Sequence, residues 1–170
     1  MGFRKLILAA ALLAAAAPVA AAPTAPNQNA TGQALILIPL TLTKIDDLSF
    51  GTIVPSPLSG VVVIDATTGG RTLAGGVSGV ASDPGNRAYF GGGGSPNQAV
   101  IITMTQPAQL TSLAGDTIPV LALTLQGSPI KTIDPITRTF FFGVGGIILV
   151  NANQPEGVYD AIFTVTANYQ

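Results

Sequence analysis

The chain contains no histidine and no cysteine. Those two absences remove Ser-His-Asp and Cys-His nucleophilic chemistry, and with them the usual zinc sites, because each needs an imidazole or a thiolate. No disulfide can form, so stability has to come from core burial and sheet hydrogen bonding. Tryptophan is also missing. Charge is scarce: Asp, Glu, Lys and Arg make up 9% of the 170 residues, against about 25% in an average soluble domain. The surface must therefore be built from Thr, Ser, Asn, Gln and Gly. With no basic cluster, nothing here attracts nucleic acid or anionic lipid.

What is present begins with an export pattern. Arg4 and Lys5 precede an apolar run over residues 6–17, and "PVAAAP" then supplies small residues for cleavage, with Val19 and Ala21 placing the cut after Ala21. The run falls short of the roughly 20 apolar residues that span a bilayer. The expectation is a cleaved signal helix over residues 1–21, no membrane span after cleavage, and a protein exported to the periplasm, cell surface or medium. No cysteine follows the run, so lipid attachment at the cut is excluded. Removing that segment takes Arg4 and Lys5 away and leaves eight acidic groups against five basic ones. The remaining length suits one domain. Residues 22–32, "APTAPNQNATG", read as a flexible polar leader, in which "NAT" at Asn29 matches a glycosylation tripeptide. Residues 33–170 read as a single β-domain.

Within it, period-two apolar runs alternate with turn signals. "QALILIPLTLTKI" (33–45) opens the series, with Pro39 marking an edge or a bulge. "LSFGTIV" (48–54), "GVVVID" (60–65) and "RTLAGGVSGV" (71–80) follow, then "RAYF" and the glycine run 91–94. "QAVIITMT" (98–105), "DTIPVLALTLQ" (116–126) and "TRTFFFGVGGIILV" (137–150) complete the series before the last strand. No segment after the signal holds apolar residues at i, i+3, i+4 and i+7 over three turns, so no substantial helix is expected. The pattern predicts an all-β fold, an antiparallel immunoglobulin-like β-sandwich of eight to ten short strands, with a closed barrel as the alternative. Phe50 is expected in the core, with Gly51 allowing a bend.

The carboxylates do not suggest a reaction centre. Asp83, Asp134 and Glu156 lie beside proline, and Asp65 and Asp116 lie at strand ends near glycine, where aspartate makes turns. Asp46 and Asp47 are only two adjacent acids, which strand geometry would point apart, far from the six to eight oxygens calcium requires, and they read as a solvated turn. The glycine run "GGGGSPNQ" lacks the Gly-Lys-Ser/Thr of a phosphate loop. The reading is a non-enzyme with no catalytic residue, cofactor or metal. A carbohydrate-binding module is one rival, with Tyr89 and Phe90 as the aromatics in a loop-edge setting. A self-contained periplasmic or secreted β-domain is another.

The sequence closes on "GVYDAIFTVTANYQ" (157–170), in which Tyr159, Ala161, Phe163, Val165, Ala167 and Tyr169 form an unbroken period-two series. Successive strand side chains point to opposite faces, so this series predicts one inner strand with a covered face. Tyr169, nearest the end, is expected to fray and to matter least.

Three stretches carry a family resemblance: "LTLTKIDDLSFGTIV", "VVVIDATTGGRTLAGGV" and "GGIILVNANQPEGVYDAIFTVTANYQ". Together they resemble the secreted proteobacterial domain-of-unknown-function family 4402 and, more distantly, spore coat protein U and chaperone–usher pilin subunits. The resemblance implies an immunoglobulin-like sandwich and an exported surface or assembly subunit, structural or adhesive. Its partners would be like subunits or an assembly chaperone, paired through the closing strand at Phe163, Val165, Ala167 and Tyr169. The polar leader lacks the alternation of a donor segment. Either residues 34–42 are themselves the donor strand, or the domain completes its own fold.

Overall fold

The computed structural model describes residues 28–170; the expected signal segment and the first part of the leader lie outside the described residues. The chain divides into two compact units at Leu35/Ile36, and the fold below is that of Ile36–Gln170. Residues 28–40 form neither strand nor helix, so the first strand begins later than residue 33. Pro39, which has no N–H to give a ladder, holds it back to β1 (Thr41–Asp46).

Every element among the described residues is a strand, and every pairing is antiparallel. After β1 come β2 (Ile53–Ile64), β3 (Arg71–Gly79), β4 (Ala88–Gly93) and β5 (Ala99–Thr105). They are followed by β6 (Gln109–Ser112), β7 (Thr117–Leu125), β8 (Ile130–Thr132), β9 (Thr139–Val150), β10 (Tyr159–Asp160) and β11 (Thr164–Tyr169). Eight strands form one sheet in the path β1-β4-β9-β7-β6-β10, with β2 joined to β9 and β3 joined to β2. The second sheet is β11-β5-β8. The result is the all-β sandwich that the spacing of strands and turns predicts.

The central strand is β9. Along one edge it pairs first with β4 and then with β2, and along the other with β7. Its run "TFFFGVGGIILV" is buried from Phe142 to Gly146, because neighbours cover both its faces. Gly143 and Gly145 are required there: a Cβ on either would strike a backbone carbonyl, that of Ala66 or of Ile64. At Pro55 the β2–β3 register shifts before it resumes at Gly60, so the proline pair sits in an irregularity of the ladder.

Two clusters make the core. Ala88, Phe90, Val100, Ile102, Ile133, Phe140, Phe142 and Val144 fill the space between the two sheets. Phe90 and Phe140 stack on Phe142 with ring centroids 5.3 and 6.3 Å away. The second cluster, Val62, Ile118, Val120, Ile148 and Val150, belongs entirely to the larger sheet. No strand of the smaller sheet covers it; Phe50, Ile53, Leu73, Val77, Leu110 and Tyr159 do. Phe50 is thus half-buried at the margin of this cluster, not in the core where the sequence pattern put it. Gly51 beside it does turn the chain, at φ 69°.

Candidate functional site

The expected single strand over residues 159–169 is two strands in two sheets. Tyr159 and Asp160 pair with Ser112 and Thr111 of β6, in the larger sheet. The chain then crosses over at Ala161–Ile162–Phe163 and continues as β11 against β5 in the smaller sheet. The alternation survives this switch. Tyr159, Ala161, Phe163, Val165, Ala167 and Tyr169 are all half-buried, while Asp160, Ile162, Thr164, Thr166 and Asn168 are exposed. Tyr159 packs on the second cluster, and Phe163, Val165, Ala167 and Tyr169 pack on the first. The predicted face is therefore right, but its depth and place are not. β11 is an edge strand, so its side chains have a neighbour on one flank only.

The free edge of β11 has a definite phase. The Gln170 amide donates to the Ala99 carbonyl at 3.0 Å, in register with the β11–β5 ladder. In antiparallel pairing, hydrogen-bonded and non-bonded residues alternate. Thr164, Thr166 and Asn168 therefore turn their backbone groups toward β5. Val165, Ala167 and Tyr169 turn theirs away, into an edge that carries no strand. At the opposite side of this sheet β8 holds Lys131 and follows Pro129, features that discourage edge pairing. β11, "TVTANY", has no charge and no proline.

The end of this strand is pinned. The Tyr169 hydroxyl accepts from the Ser95 amide at 2.8 Å and donates to the Ile38 carbonyl at 2.7 Å. The Ile38 amide in turn donates to Ser95 Oγ at 2.8 Å. Tyr169 thus ties the segment before β1 to the turn after β4, and the expectation that it frays is overturned. Neither Ser95 nor Ile38 carries a sequence signal for this role. Tyr169→Phe should cost about 1–3 kcal/mol in denaturant unfolding, because it strips the buried Ser95 amide of its partner. A smaller loss would mean that water replaces the hydroxyl.

Beyond Phe163 the apolar interior opens into a groove of about 580 Å³. Phe50, Ile53, Leu110, Val120, Tyr159 and Phe163 are among its walls. Tyr159 is fixed there by donating to the Pro155 carbonyl at 2.7 Å and accepting from Gln154 Nε2 at 3.0 Å.

Of the carboxylates expected to form turns, Asp65 and Asp134 do so through their own side chains. Asp65 accepts from the Thr67 and Thr68 amides and the Thr68 hydroxyl. The Thr68 amide, then its hydroxyl, then the Thr67 amide hold its pKa below the ordinary aspartate value. Asp134 is lowered in the same way by the Thr137 and Ile136 amides. Asp83 accepts from the Thr52 hydroxyl, and Asp47 pairs with Lys44. Among the described residues no three acidic side chains cluster as metal ligands do. No helix among them is long and apolar enough to cross a membrane. Tyr89 and Phe90 do not sit at a loop edge. Both lie on β4, between β1 and β9, with Phe90 in the core and Tyr89 on the outer face.

A family match covers residues 40–169, from the residue before β1 to the last of β11. The chain belongs to the family described as Domain of unknown function (DUF4402). The match takes in both sheets, the crossover and the pinned end of β11, so the DUF4402 domain is the sandwich itself. No curated protein and no solved structure matches the chain.

Proposed function

We propose that this DUF4402 chain is an exported, non-catalytic subunit of a surface structure, and that it joins a like subunit or an assembly chaperone by strand addition along the outer edge of β11. The observation that carries the reading is that edge: uncharged, proline-free, and presenting the unpaired amides and carbonyls of Val165 and Ala167. A strand laid along it gains main-chain hydrogen bonds at once, and alternate side chains settle over the core. The margin of the first core cluster is only half-covered there. Leu42 on β1 and Val165 and Ala167 on β11 lie half-buried over the same cluster, and β1 too pairs on one side only. The basic-then-apolar start of the sequence supports export, and the low charge suits buried contact. The turn roles of Asp65 and Asp134, with no histidine or cysteine to replace them, support a role without catalysis.

The phase of the edge supplies the test. Ala167→Pro deletes an outward amide while sparing the ladder to β5, and its neighbour Thr166 is already extended. Expressed in its own cell, the unaltered chain should be recovered outside the cytoplasm, starting at Ala22, as complexes seen by crosslinking and sedimentation. The proline variant should be exported and folded equally well and recovered as a monomer. Complexes that survive the proline, or a parent chain that is monomeric throughout, would overturn strand addition at β11.

A further inference from the structure

A second surface lies on the opposite side of the larger sheet, away from both cores. In "TFFFG" the flanking Phe140 and Phe142 point into the core, and the middle one, Phe141, points out and is 52% exposed. On this face its exposed neighbours on β1 are Thr43 and Ile45, and Ile45 reaches toward Gly91 from that side. The Phe141 ring lies over Gly91, where a side chain would collide with it. Tyr89 on β4 is its diagonal neighbour, with the two rings parallel to within 10° and their centroids 6.0 Å apart. The Arg87 guanidinium sits 4.9 Å from the Tyr89 centroid and is fixed by donating to the Ala66 carbonyl at 3.1 Å.

Beside Tyr89 is an open hollow of about 490 Å³, within the size range of small-molecule sites. Asp46, Thr68, Asn86 and Arg87 line it with the tyrosine. Asp46 stands opposite Tyr89 in the β1–β4 register and has no ion pair among the described residues. Asn86 commits its amide N–H groups to the Asp47 and Arg87 carbonyls, which holds its side-chain carbonyl in place. Arg87 has donors beyond the one given to Ala66.

We infer that this outer face of β1, β4 and β9 is a binding site for a neutral saccharide. A pyranose offers a C–H face that rests on an aromatic ring and a rim of hydroxyls that need fixed planar donors and acceptors. Phe141, just outside the hollow, provides the open ring surface, and Tyr89 beside it carries the Arg87 guanidinium over its own ring; Asp46, Asn86 and Arg87 provide the rim. One cation beside one carboxylate does not suit a phosphate or a polyanion, and a single carboxylate does not suit a metal. The site is on a different face from the β11 edge and does not depend on strand addition.

Calorimetric titration of the full chain with soluble oligosaccharides of glucose, galactose, mannose and N-acetylglucosamine tests it. At least one should bind, and Phe141→Thr and Tyr89→Ala should each weaken binding about tenfold or more. Phe141→Thr removes a half-exposed ring and leaves a good strand former in its place, so the variant should keep a cooperative thermal transition only slightly below the parent's while its binding falls. No binding to any of the four, or binding unchanged in Phe141→Thr, would overturn the proposal. Retention of a protein partner through Tyr89 and Phe141 without saccharide binding would do so as well.

Discussion

Deleting residues 161–170 is expected to leave a chain with no cooperative thermal transition. The segment contributes one whole strand of a three-stranded sheet, with six residues in register against β5. It also covers the first core cluster with Phe163, Val165, Ala167 and Tyr169. Burying a large apolar side chain completely is worth about 1.5–3 kcal/mol, and half-burial proportionately less. Three such side chains together with the strand ladder approach the whole stability of an ordinary domain, about 5–15 kcal/mol. The loss also bares β5, "AVIITMT", whose alternate residues Val100 and Ile102 form the core. An uncovered apolar strand of that kind aggregates. Circular dichroism melts and light scattering read both effects. A truncated chain that keeps a sharp transition would show that β11 is an appendage, and the edge argument would fall with it.

Phe142→Ala is expected to cost about 3–5 kcal/mol in denaturant unfolding, the range for a fully buried aromatic. Phe142 has no exposure at all and lies between Phe90 and Phe140, so its removal leaves a void walled by two rings that cannot both follow it. Phe50→Ala is the comparison. Phe50 is half-buried and borders the groove, so solvent can fill the space it vacates and the loss should be clearly smaller. Equal losses would mean that the groove is closed in solution and that the second cluster is as tight as the first.

The contrast between these two phenylalanines shows where the sequence is readable. Period-two alternation states which residues of a strand share a face, and it did so for every position from Tyr159 to Tyr169. It does not state which sheet covers that face. The crossover at Ala161–Phe163 keeps the alternation intact, so nothing local marks it. Whether β11 is an inner or an edge strand depends on pairings with residues about sixty positions away. The short strands β6 and β8 are polar or half-exposed, held by their neighbours and without apolar patterning of their own. Turn aspartates were legible because their chemistry is local: Asp65 and Asp134 bond to residues two and three positions on. The Tyr169–Ser95–Ile38 network joins points 74 and 131 positions apart, and no spacing rule reaches that far.

The central place of β9 also governs timing. A ribosome makes this chain from the N-terminus, and β1 to β8 are all complete before Thr139 is joined. Until β9 appears, β4, β2 and β7 have no common neighbour, because it is β9 that lies between them. The smaller sheet waits longer still, for β11. Folds built on such distant pairings form slowly. The β2–β3 hairpin and the β1–β4 and β6–β7 pairs can form before β9 is made, but they stay separate pieces until it joins them into one sheet.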